Sequence, residues 1–175
     1  MKNTSLDNFI FASADDSSKK LDWDTHFSIS IGTAKGITYL HEKCRDCIIH
    51  CNIKQENLLL DDNFIAKVSD FGLSKLINVR EHQNHAFSSV MGMREYLASE
   101  WLANLPITSK YDVFSYGMVL QELVGGRRNF NISATSGRRK FSTWEFEQFE
   151  MENISSIVDE RLGGNFNLDQ LQRVI

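Results

Sequence analysis

Between residues 109 and 123 the chain places Val113, Phe114, Tyr116, Met118, Val119, Leu120 and Leu123 on nearly every side of a helix. A surface helix keeps a polar face, so a helix apolar all round belongs in the middle of a fold, with the other elements packed around it. Gly125-Gly126 stops it, because glycine adopts the left-handed conformation that closes a helix. With 175 residues, 42% of them hydrophobic, the chain is long enough to build one domain with a core around such a helix.

The remaining elements follow from local pattern. Residues 22–43 read as a long helix capped by Asp22, with Phe27, Ile31, Ala34, Ile37 and Leu40 recurring at three- and four-residue intervals. Cys47-Ile48-Ile49 leads from it into a loop at His50. Two small strands follow, Leu58-Leu59-Leu60 and residues 65–68, separated by the turn signal Asp61-Asp62-Asn63. Residues 70–100 are polar and aperiodic, with His82, Gln83, Asn84, Ser88 and Ser89, as expected of a functional loop and not of a packed element. Residues 127–140 carry Arg127, Arg128, Arg138, Arg139 and Lys140, a pattern that fits a phosphate-binding patch but is commoner in a solvated loop. Trp144, Phe146 and Phe149 mark a short helix, and another starts near Leu168 and has no cap before Ile175, which reads as truncation.

Several function classes are disfavoured. A net charge of -4 argues against a nucleic-acid partner. No apolar run is long enough to cross a bilayer, and Met1-Lys2-Asn3-Thr4-Ser5-Leu6-Asp7 lacks the apolar centre of a secretion signal. Cys44, Cys47 and Cys51 cluster beside His41 and His50, but no second pair completes a tetrahedral zinc set, and three cysteines suit reduced thiols. The N-x-[ST] triplets at Asn3, Asn131 and Asn153 are common by chance.

The chemistry-bearing stretch is Ile49-His50-Cys51-Asn52-Ile53-Lys54-Gln55-Glu56-Asn57, followed by Ser69-Asp70-Phe71-Gly72. Phosphoryl transfer needs a metal-bound triphosphate, a hydroxyl in line with it, and a group that accepts the hydroxyl's proton. Asp70 offers hard oxygen to Mg²⁺ and Asn57 a carbonyl-type oxygen. Lys54 can neutralise charge on a transferring phosphate, and Leu59 can form an apolar floor beneath an adenine ring. Each residue alone is a weak signal; their order and separation match H-R-D-x-x-x-x-N followed by D-F-G.

Over essentially its whole length the chain resembles the C-terminal lobe of a eukaryotic protein kinase, most closely the plant receptor-like Ser/Thr kinases of the S-domain (lectin-type) branch. The likeness is carried by Leu21-Asp22-Trp23, Gly32-Thr33-Ala34-Lys35-Gly36-Ile37-Thr38-Tyr39-Leu40-His41-Glu42 and Ile48-Ile49-His50-Cys51. It continues through Lys67-Val68-Ser69-Asp70-Phe71-Gly72-Leu73-Ser74-Lys75-Leu76, Tyr96-Leu97-Ala98-Ser99-Glu100-Trp101 and Asp112-Val113-Phe114-Ser115-Tyr116-Gly117-Met118-Val119-Leu120. The resemblance implies a mainly helical lobe with a small β-hairpin, a catalytic loop over 50–57 and an activation segment over 70–100, with 1–175 a partial kinase domain. It implies ATP and Mg²⁺ as cofactors, with binding weakened or lost in this chain. Asp112 is implied to hydrogen-bond the catalytic-loop backbone, and Glu100 to anchor the end of the activation segment. Ser88 and Ser89 fall where phosphorylation would act, beside Ser74.

The departures from the family pattern point one way. Asn52 stands at the place of the catalytic Asp; a carboxamide orients a hydroxyl but cannot take its proton, and losing a general base costs about 10²–10⁴-fold. Met93 replaces the Thr whose hydroxyl bridges that Asp and the lysine matched by Lys54. Gln55 and Ser99 each replace a Pro, which is expected to loosen both segments. No G-x-G-x-x-G loop or V-A-x-K strand precedes His50, and Met1 falls at the interlobe hinge, so the N-terminal lobe is expected to be absent. The Arg that pairs with the family's counterpart of Glu100 also lies beyond the last residue.

The expectation is a kinase-like lobe with impaired or lost catalysis. Two alternatives stand beside it: an active Ser/Thr kinase fragment that needs its missing lobe, and a non-catalytic module docking a kinase partner through residues such as Trp101, Trp144 and Phe146. Protein substrates or receptor-like kinases are the implied partners. Cytoplasmic residence is expected for the chain as given, and the resemblance implies a plasma-membrane parent with a cytosolic kinase domain.

Overall fold

The N-cap predicted at Asp22 forms: its side chain accepts a hydrogen bond from the Thr25 N–H at 2.8 Å and opens the first long helix. The computed structural model describes residues 3–13, 15–77, 108–129 and 141–174. Its helices are α1 (Asp7–Ile10), α2 (Trp23–Thr38), α3 (Lys110–Gly125), α4 (Phe141–Glu150) and α5 (Leu168–Leu171). Its strands are β1 (Cys47–Ile49), β2 (Leu58–Leu60), β3 (Ala66–Val68) and β4 (Lys75–Ile77). The architecture is mainly helical with a small β part, as expected. No helix among the described residues is long and apolar enough to cross a membrane.

The β2–β3 hairpin forms where the turn signal puts it. Asp61 Oδ1 accepts the N–H groups of Asn63 and Ile65, both at 2.9 Å, which curls the turn locally. The outer edge of β2 is covered by the N-terminal segment, since Leu6 N–H donates to Leu58 O at 2.9 Å and Leu60 N–H to Thr4 O at 3.1 Å. A second antiparallel pair, β1 with β4, was not expected: it places Ile49 opposite Lys75 and so gives order to the start of the 70–100 stretch. Short strands far apart in sequence carry no alternation to reveal their pairing.

Helix α2 continues through a π-helical turn, Tyr39–Lys43, so helical structure does reach residue 43. Its buried side matches the expected one only in part: Ile37 and Leu40 are buried, Phe27 and Ala34 partly so. Trp23, His26, Ile29, Ser30, Thr33 and Ile37 face the interior, while Ile31 is 41% exposed. Ser30 and Thr33 sit on this side because their hydroxyls find partners within the helix: Thr33 Oγ1 donates to Ile29 O at 2.9 Å and Ser30 Oγ to Phe27 O at 2.7 Å.

The helix expected to be buried all round is so only in its last turn, residues 122–125; before that it is buried on one side. In α3, Tyr111, Asp112, Ser115, Val119, Glu122 and Leu123 are buried, whereas Val113 is 57% and Phe114 42% exposed. The rotation is set by polar side chains, Asp112 and Glu122, whose carboxylates serve the loop below. Gly126 ends α3 in the left-handed conformation, φ 60°, as predicted.

Three apolar clusters form among the described residues, the smallest of Ile49, Cys51 and Tyr111. The largest joins Leu6, Phe9 and Ile10 to Ile29, Ile37, Ile53, Leu58, Leu60, Val119 and Leu123. The second gathers Trp23, Val124, Ile157, Val158, Leu162 and Leu171, with the Trp23 indole N–H donating to Gln170 Oε1 at 2.6 Å. Between them they fix β2, the end of β3 and α3, from which the site is built.

Candidate active site

Asp112, at the start of α3, anchors the site from beneath. Its carboxylate accepts the His50 N–H at 2.8 Å and the Cys51 N–H at 2.9 Å, one on each oxygen, and meets His41 Nε2 at 2.9 Å. Cys51 has φ 62°, a conformation few L-residues adopt, and these two hydrogen bonds hold it there. Burial and the Asp112 carboxylate push the Cys51 thiol up to about 12, so it stays protonated. Cys44 and Cys47 are likewise free thiols.

His50 is fully buried and links both halves of the site. Its Nε2 lies 2.9 Å from Ser69 O and its Nδ1 3.2 Å from the Asn52 N–H, so Nε2 carries the proton and Nδ1 accepts. Burial holds its pKa below the usual imidazole range, which favours this neutral form. The Phe71 ring lies edge-on to it, with centroids 4.9 Å apart. Ser69 then donates to Asn57 O through both its N–H and its hydroxyl, each at 2.9 Å.

Asn52, Asn57 and Asp70 meet at the head of this network. Asn52 Nδ2 donates to Asp70 Oδ2 at 2.9 Å, and Asn57 Nδ2 donates to Asn52 O at 2.9 Å. Asn52 is only 6% exposed, and its Oδ1 is buried without a partner among the described residues. Asp70 is exposed and has φ 64°, a region that Asp and Asn tolerate better than other side chains. A Cβ on Gly72 would sit 3.3 Å from Asp70 Oδ1, so the glycine keeps the carboxylate uncrowded.

The donor chemistry of Asn57 and Asp70 is compatible with a divalent cation. With its amide N–H₂ turned inward, Asn57 keeps Oδ1 for a cation, and Asp70 adds a carboxylate on the solvent side. An all-oxygen set of this kind suits Mg²⁺.

The other expected site residues stand apart from the network. Lys54 is half-buried, and no described residue pairs with its ammonium. Leu59 alternates to the face of β2 opposite the buried Leu58 and Leu60, and pairs with Lys67 across the hairpin. Glu100, Ser88 and Ser89 lie outside the described residues, as do Met93, Ser99 and Trp101.

One expectation reverses. Gln55, expected to loosen the loop in place of a proline, is fully buried, and its Nε2 donates to Glu122 Oε2 on α3. Glu122 Oε1 in turn accepts the Asn129 N–H at 2.6 Å. The amide therefore ties the loop to the helix where a proline would leave the carboxylate one donor short. Sequence reasoning missed this pair and the bonds of Ser69; the signal for the pair was a glutamate in the mostly apolar second half of α3.

Comparison with known proteins agrees with this geometry. A model of the protein kinase domain matches residues 1–173. The chain is 59% identical over 172 residues to a G-type lectin S-receptor-like serine/threonine-protein kinase of Arabidopsis thaliana, a match covering 98% of this chain and 20% of that protein. It is 51% identical over 158 residues to the SD2-5 member from the same plant, covering 90% of this chain and 19% of the relative. It is 38% identical to LECRK4 of Oryza sativa subsp. indica, over all of this chain and 21% of the relative. The chain thus spans about a fifth of the length of these curated relatives.

Proposed function

We propose, from the premise that this chain belongs to the protein kinase family, that it forms the C-terminal part of a receptor-like Ser/Thr kinase domain, binding nucleotide weakly and poorly equipped to transfer phosphate. The observation that carries this reading is Asn52: it occupies the base position, and its amide N–H₂ points at Asp70, 2.9 Å away. Asp70 and Asn57 would hold Mg²⁺, which when bound neutralises phosphate charge. Lys54 supplies a further positive charge from the loop, and Leu59 lies beneath the adenine.

The residues divide the work by chemistry. Asp112 holds the loop backbone, and His50 joins it to the Asp70 turn through Ser69. The unpartnered Asn52 Oδ1 can accept a hydrogen bond from a Ser or Thr hydroxyl and so orient it. It cannot take that proton, because a carboxamide is not basic at neutral pH. The phosphoacceptor is a protein side chain, and the setting is the cytosolic face of a membrane-bound parent, as the receptor-like names of the relatives suggest.

The test is calorimetric titration of the 175-residue chain with ATP, with and without Mg²⁺, beside a transfer assay on a generic acceptor protein. Metal-dependent binding lost in Asp70→Ala is expected, with transfer slower than that of Asn52→Asp by about 10²-fold or more. Rapid Mg²⁺-dependent phosphorylation by the unaided wild-type chain would overturn the reading of Asn52. Failure to bind nucleotide would overturn the reading of the site.

A further inference from the structure

We infer that the Asn52 amide holds Asp70 in place without a cation, so that the loop around Asn52 and the turn around Asp70 assemble in metal-free protein. Asn52 Nδ2 reaches Asp70 Oδ2 at 2.9 Å while Asn52 Oδ1 is left buried and unpartnered. The amide is turned to serve Asp70 at the expense of its own oxygen. The reverse orientation would set Oδ1 against the carboxylate.

Neighbouring bonds leave Asn52 little freedom to turn elsewhere. Its N–H donates to His50 Nδ1 at 3.2 Å, and its carbonyl accepts from Asn57 Nδ2 at 2.9 Å. On the other side, Asp70 follows Ser69, which is bonded to both His50 and Asn57. Asn52–Asp70 is the side-chain bond that closes this ring of contacts between the two segments.

A carboxylate at position 52 would reverse the sign of that contact. Two carboxylates at this separation repel, and a proton or a cation between them removes the conflict. The Ser69 bonds would still join the two segments, but contact between positions 52 and 70 would then need divalent metal, as it does not with the amide. This inference rests on the kinase reading only in supposing that a cation has access to Asp70.

The experiment compares the unfolding of the wild type, Asn52→Asp and the swapped double variant Asn52→Asp/Asp70→Asn, each in EDTA and in Mg²⁺ near neutral pH. The swap restores one amide donor facing one carboxylate, and Asn is tolerated at φ 64° much as Asp is. In EDTA the folding equilibrium constant of Asn52→Asp is expected to fall by about tenfold or more, the scale of two carboxylates sharing a site. Mg²⁺ should recover most of that loss. The double variant should match the wild type in EDTA and gain no more from Mg²⁺ than the wild type does.

Asn52→Asp as stable as the wild type in EDTA would overturn the inference, as would a double variant no better than the single one. If Asn52→Asp fails to fold without metal but the double variant folds, the inference stands. None of these outcomes depends on nucleotide binding, so the proposed function can fail separately.

Discussion

The Asp112 carboxylate spans two consecutive backbone donors, with the His50 N–H on one oxygen at 2.8 Å and the Cys51 N–H on the other at 2.9 Å. The side chain and both donors are buried, so nothing replaces the carboxylate when it is removed. The positive φ of Cys51 depends on the same grip. Asp112→Ala leaves two buried N–H groups unsatisfied, each worth about 1–3 kcal/mol, and should destabilise the chain by roughly 2–5 kcal/mol in urea unfolding. Asp112→Asn keeps one acceptor and should lie between. A loss below about 0.5 kcal/mol in the alanine variant would mean that the loop does not depend on this carboxylate.

Gln55 and Glu122 make a second tie between the loop and α3. Both are fully buried, and the glutamate also accepts from the Asn129 backbone. Gln55→Ala removes a donor from a buried carboxylate and should cost about 1–3 kcal/mol. Gln55→Glu should cost more, since it sets a second carboxylate against the first. Equal unfolding midpoints for wild type and Gln55→Ala would return the position to the looser role that replacement of a proline suggests.

What could be read from the sequence was what local chemistry decides. Asp22 caps α2, Asp61 curls the hairpin, Gly126 ends α3, and the spacing of His50, Asn52, Asn57 and Asp70 anticipated residues that meet in one network. What escaped was set by contacts distant along the chain. The β1–β4 pairing joins segments with no alternation of their own. The interior side of α2 carries His26, Ser30 and Thr33, whose hydrogen bonds to carbonyls of the preceding turn hide them from a hydrophobic count. Position 55 could be compared only with the proline it replaces, and a loss of rigidity was inferred where the structure shows a new bond.

Gly126 has a packing role beyond ending α3. A Cβ there would lie 2.3 Å from Asp159 Oδ2, and the backbone has φ 60°. Asp159 accepts from the Arg161 side chain, whose guanidinium also donates to Phe9 O at 2.9 Å and to Ala12 O at 3.2 Å, tying down the end of α1. Gly126→Ala therefore combines left-handed strain with displacement of Asp159, and should cost about 2–4 kcal/mol. Gly163→Ala is the control: its φ is 59° but nothing lies within 4 Å of the added carbon, so only about 1 kcal/mol of strain is expected. Equal losses in the two variants would show that contact with Asp159 adds nothing.

Glu145, on α4, is fully buried, and neither carboxylate oxygen has a hydrogen-bond partner among the described residues. Burial alone raises its carboxyl from the ordinary 4.5 to about 7. Between those values the folded chain keeps a proton that the unfolded chain releases, so this group's contribution to stability is full below about 4.5 and declines as pH rises toward 7. His50 and His26 slope the other way: burial lowers both, so the unfolded chain takes up protons first as pH falls below 6.5, and stability is lost toward acid. Comparing Glu145→Gln with the wild type cancels the histidine contribution. The variant should gain about 1–3 kcal/mol relative to the wild type on going from pH 5 to pH 8, read from unfolding midpoints at the two values. A difference between the two proteins that does not change with pH would mean that Glu145 is ionised and solvated in the folded chain.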